Sequence, residues 1–464
     1  MAPLSLLDCP QEVQLSIAEL PHSDLANLSM SCRALHRIAE PLVYSLVRFM
    51  WIRKSYPPIT KMLHLLRTLL AKPNLRPLVR NADFEGYGFI TKRRNPPTVI
   101  PALPASQLYA AIKRTGVSQL VADDWKNKVQ SGSPEATVAV LISLLPNLER
   151  LCLYPGWTHD TEYLGAMLRA ALCDRPQHKE QTDLPSFLSL KHVSLTLMTD
   201  EERILDPRNT ADALALFYLP NIETLSVSID NPTNFFWPSS SPPSPTSLKS
   251  LEVFRLRESR LAPILSTTAN LNKFQYNWLY RPDIDYEVSK EVVMLDTMAE
   301  ALLQVKDSLE ELAITAETFP SFSQGLYEPP DVIFRGSLIK LCDMDKLKTL
   351  RVPWSFLIGR YGFSSPGHLG AAIPPNLEHL ALGGELMLSG DDDPEDCSDE
   401  LMVEAFEKEL ESGALSHVKT LKSVCLPGSM YADGMPEACE EKMRVLEARF
   451  GLSLSYDRYD NVEY

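Results

Sequence analysis

Asp283, Asp285 and Glu287 fall at alternate positions, so an extended chain sets their carboxyl groups on one face, as acid–base chemistry would need. No other candidate base, nucleophile or ligand converges on them in sequence, and a solvated strand edge accounts for the three. The eight cysteines (9, 32, 152, 173, 342, 397, 425 and 439) form no C-x-x-C pair, and neither they nor the nine histidines show metal-ligand spacing. They read as free thiols of a reducing compartment. Glycines 359, 362, 367 and 370 follow no apolar strand and read as a turn-rich link, not a phosphate loop. The acidic run Asp391 to Asp396, within a loop at 390–400, lacks the glycine and spaced ligands of a calcium loop. H-E-x-x-H, G-x-S-x-G, the Walker phosphate loop and G-x-G-x-x-G are all missing. The chain therefore reads as a non-enzyme that takes no cofactor or metal, and the chemistry left to it is recognition.

Recognition needs side chains presented at regular positions, and a recurring phrase supplies them. Leu148-Glu149-Arg150-Leu151-Cys152-Leu153 is its clearest copy; others begin at 190, 222, 248, 271, 309, 347, 377 and 421. In a strand entered from a turn, the first, fourth and sixth residues point inward and the others face solvent. The outward set includes Arg150, Tyr154, His192, Thr196, Ser226, Phe254, Gln275, Asn277, Arg351 and His379. Tyr154, Phe254 and Arg351 are the expected anchors, because aromatic and arginine side chains dominate protein interfaces. Helix-like segments separate the copies: 135–145, 161–172, 211–218, 292–305 and 400–410. Strand, helix and return form a unit that buries its apolar side only against its neighbours. The pattern resembles a leucine-rich repeat solenoid, an α/β fold of short parallel strands alternating with helices. Its spacing of 23 to 44 residues is irregular, and the asparagine or cysteine that usually follows the strand is mostly missing.

Composition agrees with a folded protein: 45% apolar, 23% charged, net charge −15. That charge gives no general attraction to nucleic acid or anionic lipid. The stretch 48–115 nevertheless holds 13 basic against 2 acidic residues. It contains an expected basic amphipathic helix at 56–71, an irregular strand at 75–84 and the cluster Lys92-Arg93-Arg94, which lacks interleaved aromatics. No apolar run approaches the length of a membrane span, which points to a cytoplasmic or nuclear protein without membrane contact. An insertion at 231–247 joins Phe235, Phe236 and Trp237 to a Pro/Ser tract in which Ser241 and Ser244 each precede a proline. It reads as a loop with its aromatics tucked onto the repeat edge, its serines open to phosphorylation.

The amino-terminal stretch is of another kind. Asp8 caps a helix with Pro10 in its first turn, and Val13, Ile17 and Leu20 line one stripe. Pro21 ends it, and Leu25, Leu28, Cys32, Leu35, Ala39 and Leu42 recur at threes and fours. So few residues bury little by themselves, so a partner's surface is expected. The order Leu7, Pro10, Glu12, Val13, Ile17, Leu20-Pro21, Asp24-Leu25, Leu28-Ser29, Cys32-Arg33, Leu35 and Pro41-Leu42-Val43-Tyr44 resembles an F-box, departing from it at Cys9, where the family has leucine. The resemblance implies a three-helix module at 1–46 that docks the Skp adaptor of a Skp/cullin/F-box ubiquitin ligase through Leu7, Pro10, Val13, Ile17, Leu25, Leu28 and Leu35. A basic region with a first irregular repeat would follow at 47–130, and degenerate leucine-rich repeats at 131–464. Together with the repeats, the resemblance implies a substrate receptor that joins a cullin through the adaptor and presents outward residues to a protein substrate. The alternative is an interaction scaffold not coupled to ubiquitin transfer.

Overall fold

The computed structural model describes residues 20–51, 58–86, 101–158, 161–173, 184–196, 212–229, 234–280, 290–318, 330–363, 369–386, 397–428 and 434–457. They fall into two compact units, treated separately below. The first comprises the described residues of Met1–Thr199, Ala211–Ile222 and Trp237–Ser241; the second, those of Asp200–Thr210, Glu223–Phe236 and Pro242–Tyr464. Both are mixed α/β, with parallel strands alternating with helices.

In the first unit, helices His22–Ser31 and Arg33–Ser45 pack on each other, and the second runs without a break into strand β1, Leu46–Met50. Strands β2 (Asn81–Glu85), β3 (Arg150–Leu153) and β4 (His192–Leu195) follow in parallel register. Helices Ile59–Ala71, Ala105–Lys113, Gln119–Gln130, Pro134–Ser143 and Glu162–Leu172 lie between them in the chain. Pro134–Ser143 is buried at every position but half-buried Glu135 and can form because Ser133 caps it, accepting the Ala136 N–H at 3.2 Å.

The second unit carries β5 (Thr224–Ser228), β6 (Ser250–Phe254), β7 (Lys273–Tyr280), β9 (Glu311–Thr318), β11 (Thr349–Pro353), β12 (His379–Gly383), β13 (Ser423–Leu426) and β14 (Ser453–Tyr456), hydrogen-bonded in that order. A separate parallel pair joins β8 (Val292–Met294) to β10 (Ile333–Arg335). Helices Leu261–Leu265, Leu295–Leu302, Asp399–Glu411 and Glu437–Phe450 return the chain between strands.

Each of the nine phrase copies becomes a strand whose first residue is the third of the phrase. The fourth residues stack in register, Ala82, Leu151 and Val193 in the first unit and Leu225, Leu251, Phe274, Leu312, Leu350, Leu380, Val424 and Leu454 in the second. At the first, fourth and sixth positions every residue of the nine copies is buried except Leu421, which is half-buried. Besides the separate pair β8 and β10, strands β1, β2 and β14 lie outside the phrase, because Tyr44, Val79 and Gly451 stand where its first leucine would be.

Backbone geometry fixes this register at the strand entrance. The N–H groups of the second and third phrase residues both donate to the carbonyl of the second residue in the preceding coil: Lys191 and His192 to Glu149, Lys249 and Ser250 to Glu223, Lys348 and Thr349 to Glu310, Glu378 and His379 to Lys348. Side chains reinforce it. Asn147, Asn221, Asn270 and Asn376, each one residue ahead of the phrase, donate Nδ2–H to the carbonyls of Pro77, Leu188, Thr246 and Asp345, at 2.8–3.1 Å. These contacts lie at the exposed entrance of the strands and repeat from coil to coil. The asparagine that the sequence lacks behind its strands stands in front of them.

Candidate functional site

The outward residues of β1–β4 form the first group. Asp83 on β2 is buried, with Oδ2 3.4 Å from the Arg48 guanidinium and Oδ1 3.6 Å from Arg150. Arg48 also reaches Glu85 at 3.2 Å. Arg150 and His192 are register partners on β3 and β4, and both are exposed; Tyr154, just past β3, is half-buried. Burial pushes the Cys152 thiol up, against the pull of Arg150, so this cysteine sits as a thiol and not as a nucleophilic thiolate.

In the second unit Phe254 on β6 is the register partner of Asn277 on β7, with half-buried Gln275 two residues before Asn277. Asn277 is buried and donates to Thr315 Oγ1 at 3.2 Å and Glu317 Oε1 at 3.1 Å, which takes up both amide hydrogens and leaves its carbonyl oxygen to accept. Burial raises the Glu317 carboxyl, while Asn277 and Arg255 pull it back. Arg255 is held left-handed at φ 64° with its N–H 3.0 Å from the Asn277 carbonyl, a costly conformation for a side chain of this kind. Glu252 accepts the Ser226 hydroxyl at 2.7 Å.

Farther along the same unit lie Arg351 on β11 and His379 on β12. Arg351 is shared by Glu385 (3.4 Å) and Asp457 (3.0 Å), the latter just beyond β14. The Glu385 carboxyl lies over Gly383, where a Cβ would sit 1.7 Å from Oε2, and burial raises its pKa ahead of the opposing pull of Arg351. His379 Nδ1 is 2.8 Å from the Ser423 hydroxyl. The outward residues are therefore brought together as Arg150, Tyr154 and His192 in one unit, and as Phe254 with Gln275 and Asn277 in the other, where Arg351 and His379 stand on adjacent strands two register positions apart. Arg255, Glu317, Glu385 and Asp457 were not expected; the first depends on a backbone twist, and the others lie past the phrase.

Of the expected adaptor contacts, Leu7, Pro10, Val13 and Ile17 lie outside the described residues. Leu25 is buried, Leu28 and Leu35 are half-buried, and Met30 is 78% exposed. The acidic triplet at 283–287, the acidic run at 391–396 and the basic cluster at 92–94 also lie outside the described residues. Trp237 packs edge-on against Phe217 and Tyr218, with ring centres 5.6 and 6.3 Å away, whereas Phe236 is exposed. Gly359 and Gly362 take left-handed turns, as a turn-rich link requires.

Among the described residues no three His, Cys, Asp or Glu side chains gather as a metal site, and no helix is long and apolar enough to cross a membrane. What the outward faces offer chemically is hydrogen-bond donors and acceptors, paired charges and a few half-buried aromatic rings. Compared with known proteins, the chain matches no protein-family model and no curated protein.

Proposed function

We propose that the chain is the substrate-receptor subunit of a Skp/cullin/F-box ubiquitin ligase, with an amino-terminal F-box and degenerate leucine-rich repeats. The observation that carries this reading is the residue pattern from Leu7 to Tyr44, set directly ahead of a strand–helix repeat. In this reading the adaptor covers Leu28, Leu35 and the exposed Met30, apolar residues that the described part of the chain leaves uncovered or half-covered. Leu25 is already buried within the chain. The substrate is a protein that meets the outward side chains of the repeats, with Arg150, Tyr154 and Phe254 foremost. A rigid repeat suits this work, since each strand offers a few side chains at fixed spacing.

Co-purification tests the reading. The tagged full-length chain should recover the Skp adaptor and a cullin, and Pro10→Ala with Leu28→Asp should lose both while its circular dichroism stays unchanged. Recovery of neither by the unmodified chain would sink the assignment; recovery of the adaptor without cullin would favour a scaffold.

A further inference from the structure

Four Ser-Pro steps and no Thr-Pro step occur in the chain, at Ser133, Ser241, Ser244 and Ser365. A proline that follows serine is a recognition element for one class of kinase, because its ring fills an apolar pocket and its missing N–H removes a donor. Use of such a step requires that both the hydroxyl-bearing residue and the ring be presented. Ser365 lies outside the described residues. Ser133 is committed as a helix cap, with Oγ 3.2 Å from the Ala136 nitrogen and 3.1 Å from Glu135, and Pro134 is buried. Ser244 is exposed, but Pro245 behind it is buried.

Ser241 differs from both. Ser240, Ser241 and Pro242 are all exposed, and ahead of them Trp237 anchors the strap against Phe217 and Tyr218. The Tyr218 hydroxyl donates to the Ser241 carbonyl at 2.6 Å. That contact is made through the backbone, so it fixes the chain without engaging the serine hydroxyl.

We propose that Ser241 is a phosphorylation site for a proline-directed serine/threonine kinase. The Ser241 oxygen attacks the γ-phosphorus of ATP, a new P–O bond forms, the bond to the β-phosphate oxygen breaks and ADP leaves. The hydroxyl proton passes to the kinase's base. The product places a charge of about −1.5 to −2 on the strap beside Trp237 and Tyr218.

The test is to incubate the folded full-length chain with a purified proline-directed kinase and Mg-ATP, and to map phosphate by mass spectrometry over time. Ser241 should be modified at least about ten-fold faster than Ser244, since Pro245 must first be lifted from its buried position. Ser241→Ala should remove that phosphate, and Ser244→Ala and Ser133→Ala should keep it. Phosphate confined to Ser133, Ser244 or Ser365, or no phosphate on the folded chain, would overturn the proposal.

Discussion

Arg257 and Glu258 form a buried ion pair in the second unit, with guanidinium Nε 3.1 Å from carboxylate Oε2 and both side chains almost wholly shielded. The pair is well satisfied. Glu258 also accepts from Trp278 Nε1 at 2.9 Å and from the Met294 N–H at 3.0 Å, while Arg257 donates to the carbonyls of Lys290 and Val292 and lies over the Trp278 ring. It thereby ties the start of β8 to the repeat core. Removal of one partner leaves the other charged and buried, so Glu258→Ala should cost about 3–5 kcal/mol. Urea denaturation read at a tryptophan band checks this; a loss under about 1 kcal/mol would mean that water replaces the carboxylate.

The asparagine ladder predicts a smaller, repeatable cost. Asn376→Ala removes the 2.9 Å donor from the exposed Asp345 carbonyl, where water can take its place, and should destabilise by about 0.5–1.5 kcal/mol. Asn270→Ala, which breaks the same contact to Thr246, should cost a similar amount in separate denaturation curves. A neutral result at both sites would remove the ladder's claimed part in setting register.

Two glycines should respond differently to the same change. A Cβ on Gly370 would lie 2.1 Å from the Ala414 carbonyl oxygen, a backbone atom that cannot swing aside, so Gly370→Ala should lower the Tm markedly. Gly451 ends the helix Glu437–Phe450 at φ 69° with open space around it, so Gly451→Ala should cost only about 1–2 kcal/mol for the left-handed backbone. Thermal melts of the two variants should rank in that order.

Glu385 gives a pH signature. Burial raises its pKa in the folded chain, so as pH falls from neutrality toward the ordinary glutamate value the folded state takes up its proton before the unfolded state does. The contribution of this group to stability is fully present below the ordinary value and is lost as pH rises through the raised one. Glu385→Gln cannot titrate, so wild type should gain stability relative to the variant on acidification. Paired denaturation curves at neutral and mildly acidic pH measure the difference; a wild type that loses stability relative to the variant on acidification would contradict the assignment.

Much of the repeat was legible in the sequence because an inward-facing strand position tolerates little besides a branched or aromatic apolar side chain, and nine phrases set those positions at one, four and six. The strands at Leu46–Met50, Asn81–Glu85 and Ser453–Tyr456 were harder to read, since Tyr44, Val79 and Gly451 replace the leading leucine. The helices Ala105–Lys113 and Gln119–Gln130 were passed over within a region read by its charge. The expected irregular strand at 75–84 proved to be a 3-10 turn, Pro73–Leu78, followed by β2, because Pro77 cannot donate to a ladder.

For the candidate site, the alternation of a strand was enough to say which residues face outward, and Arg150 with His192 and Phe254 with Asn277 became neighbours because the phrases pair in register. Sequence periodicity carries no information about what lies past the end of a strand. The hydrogen bond of left-handed Arg255 to the Asn277 carbonyl and the ion pairs of Arg351 with Glu385 and Asp457 arise only when separate coils stack, since each joins residues that local propensity treats independently. The chain by itself determined which side chains are offered; the tertiary structure decided which are already engaged, because an ion pair or a buried carboxyl is a property of distance and solvent, not of order along the chain.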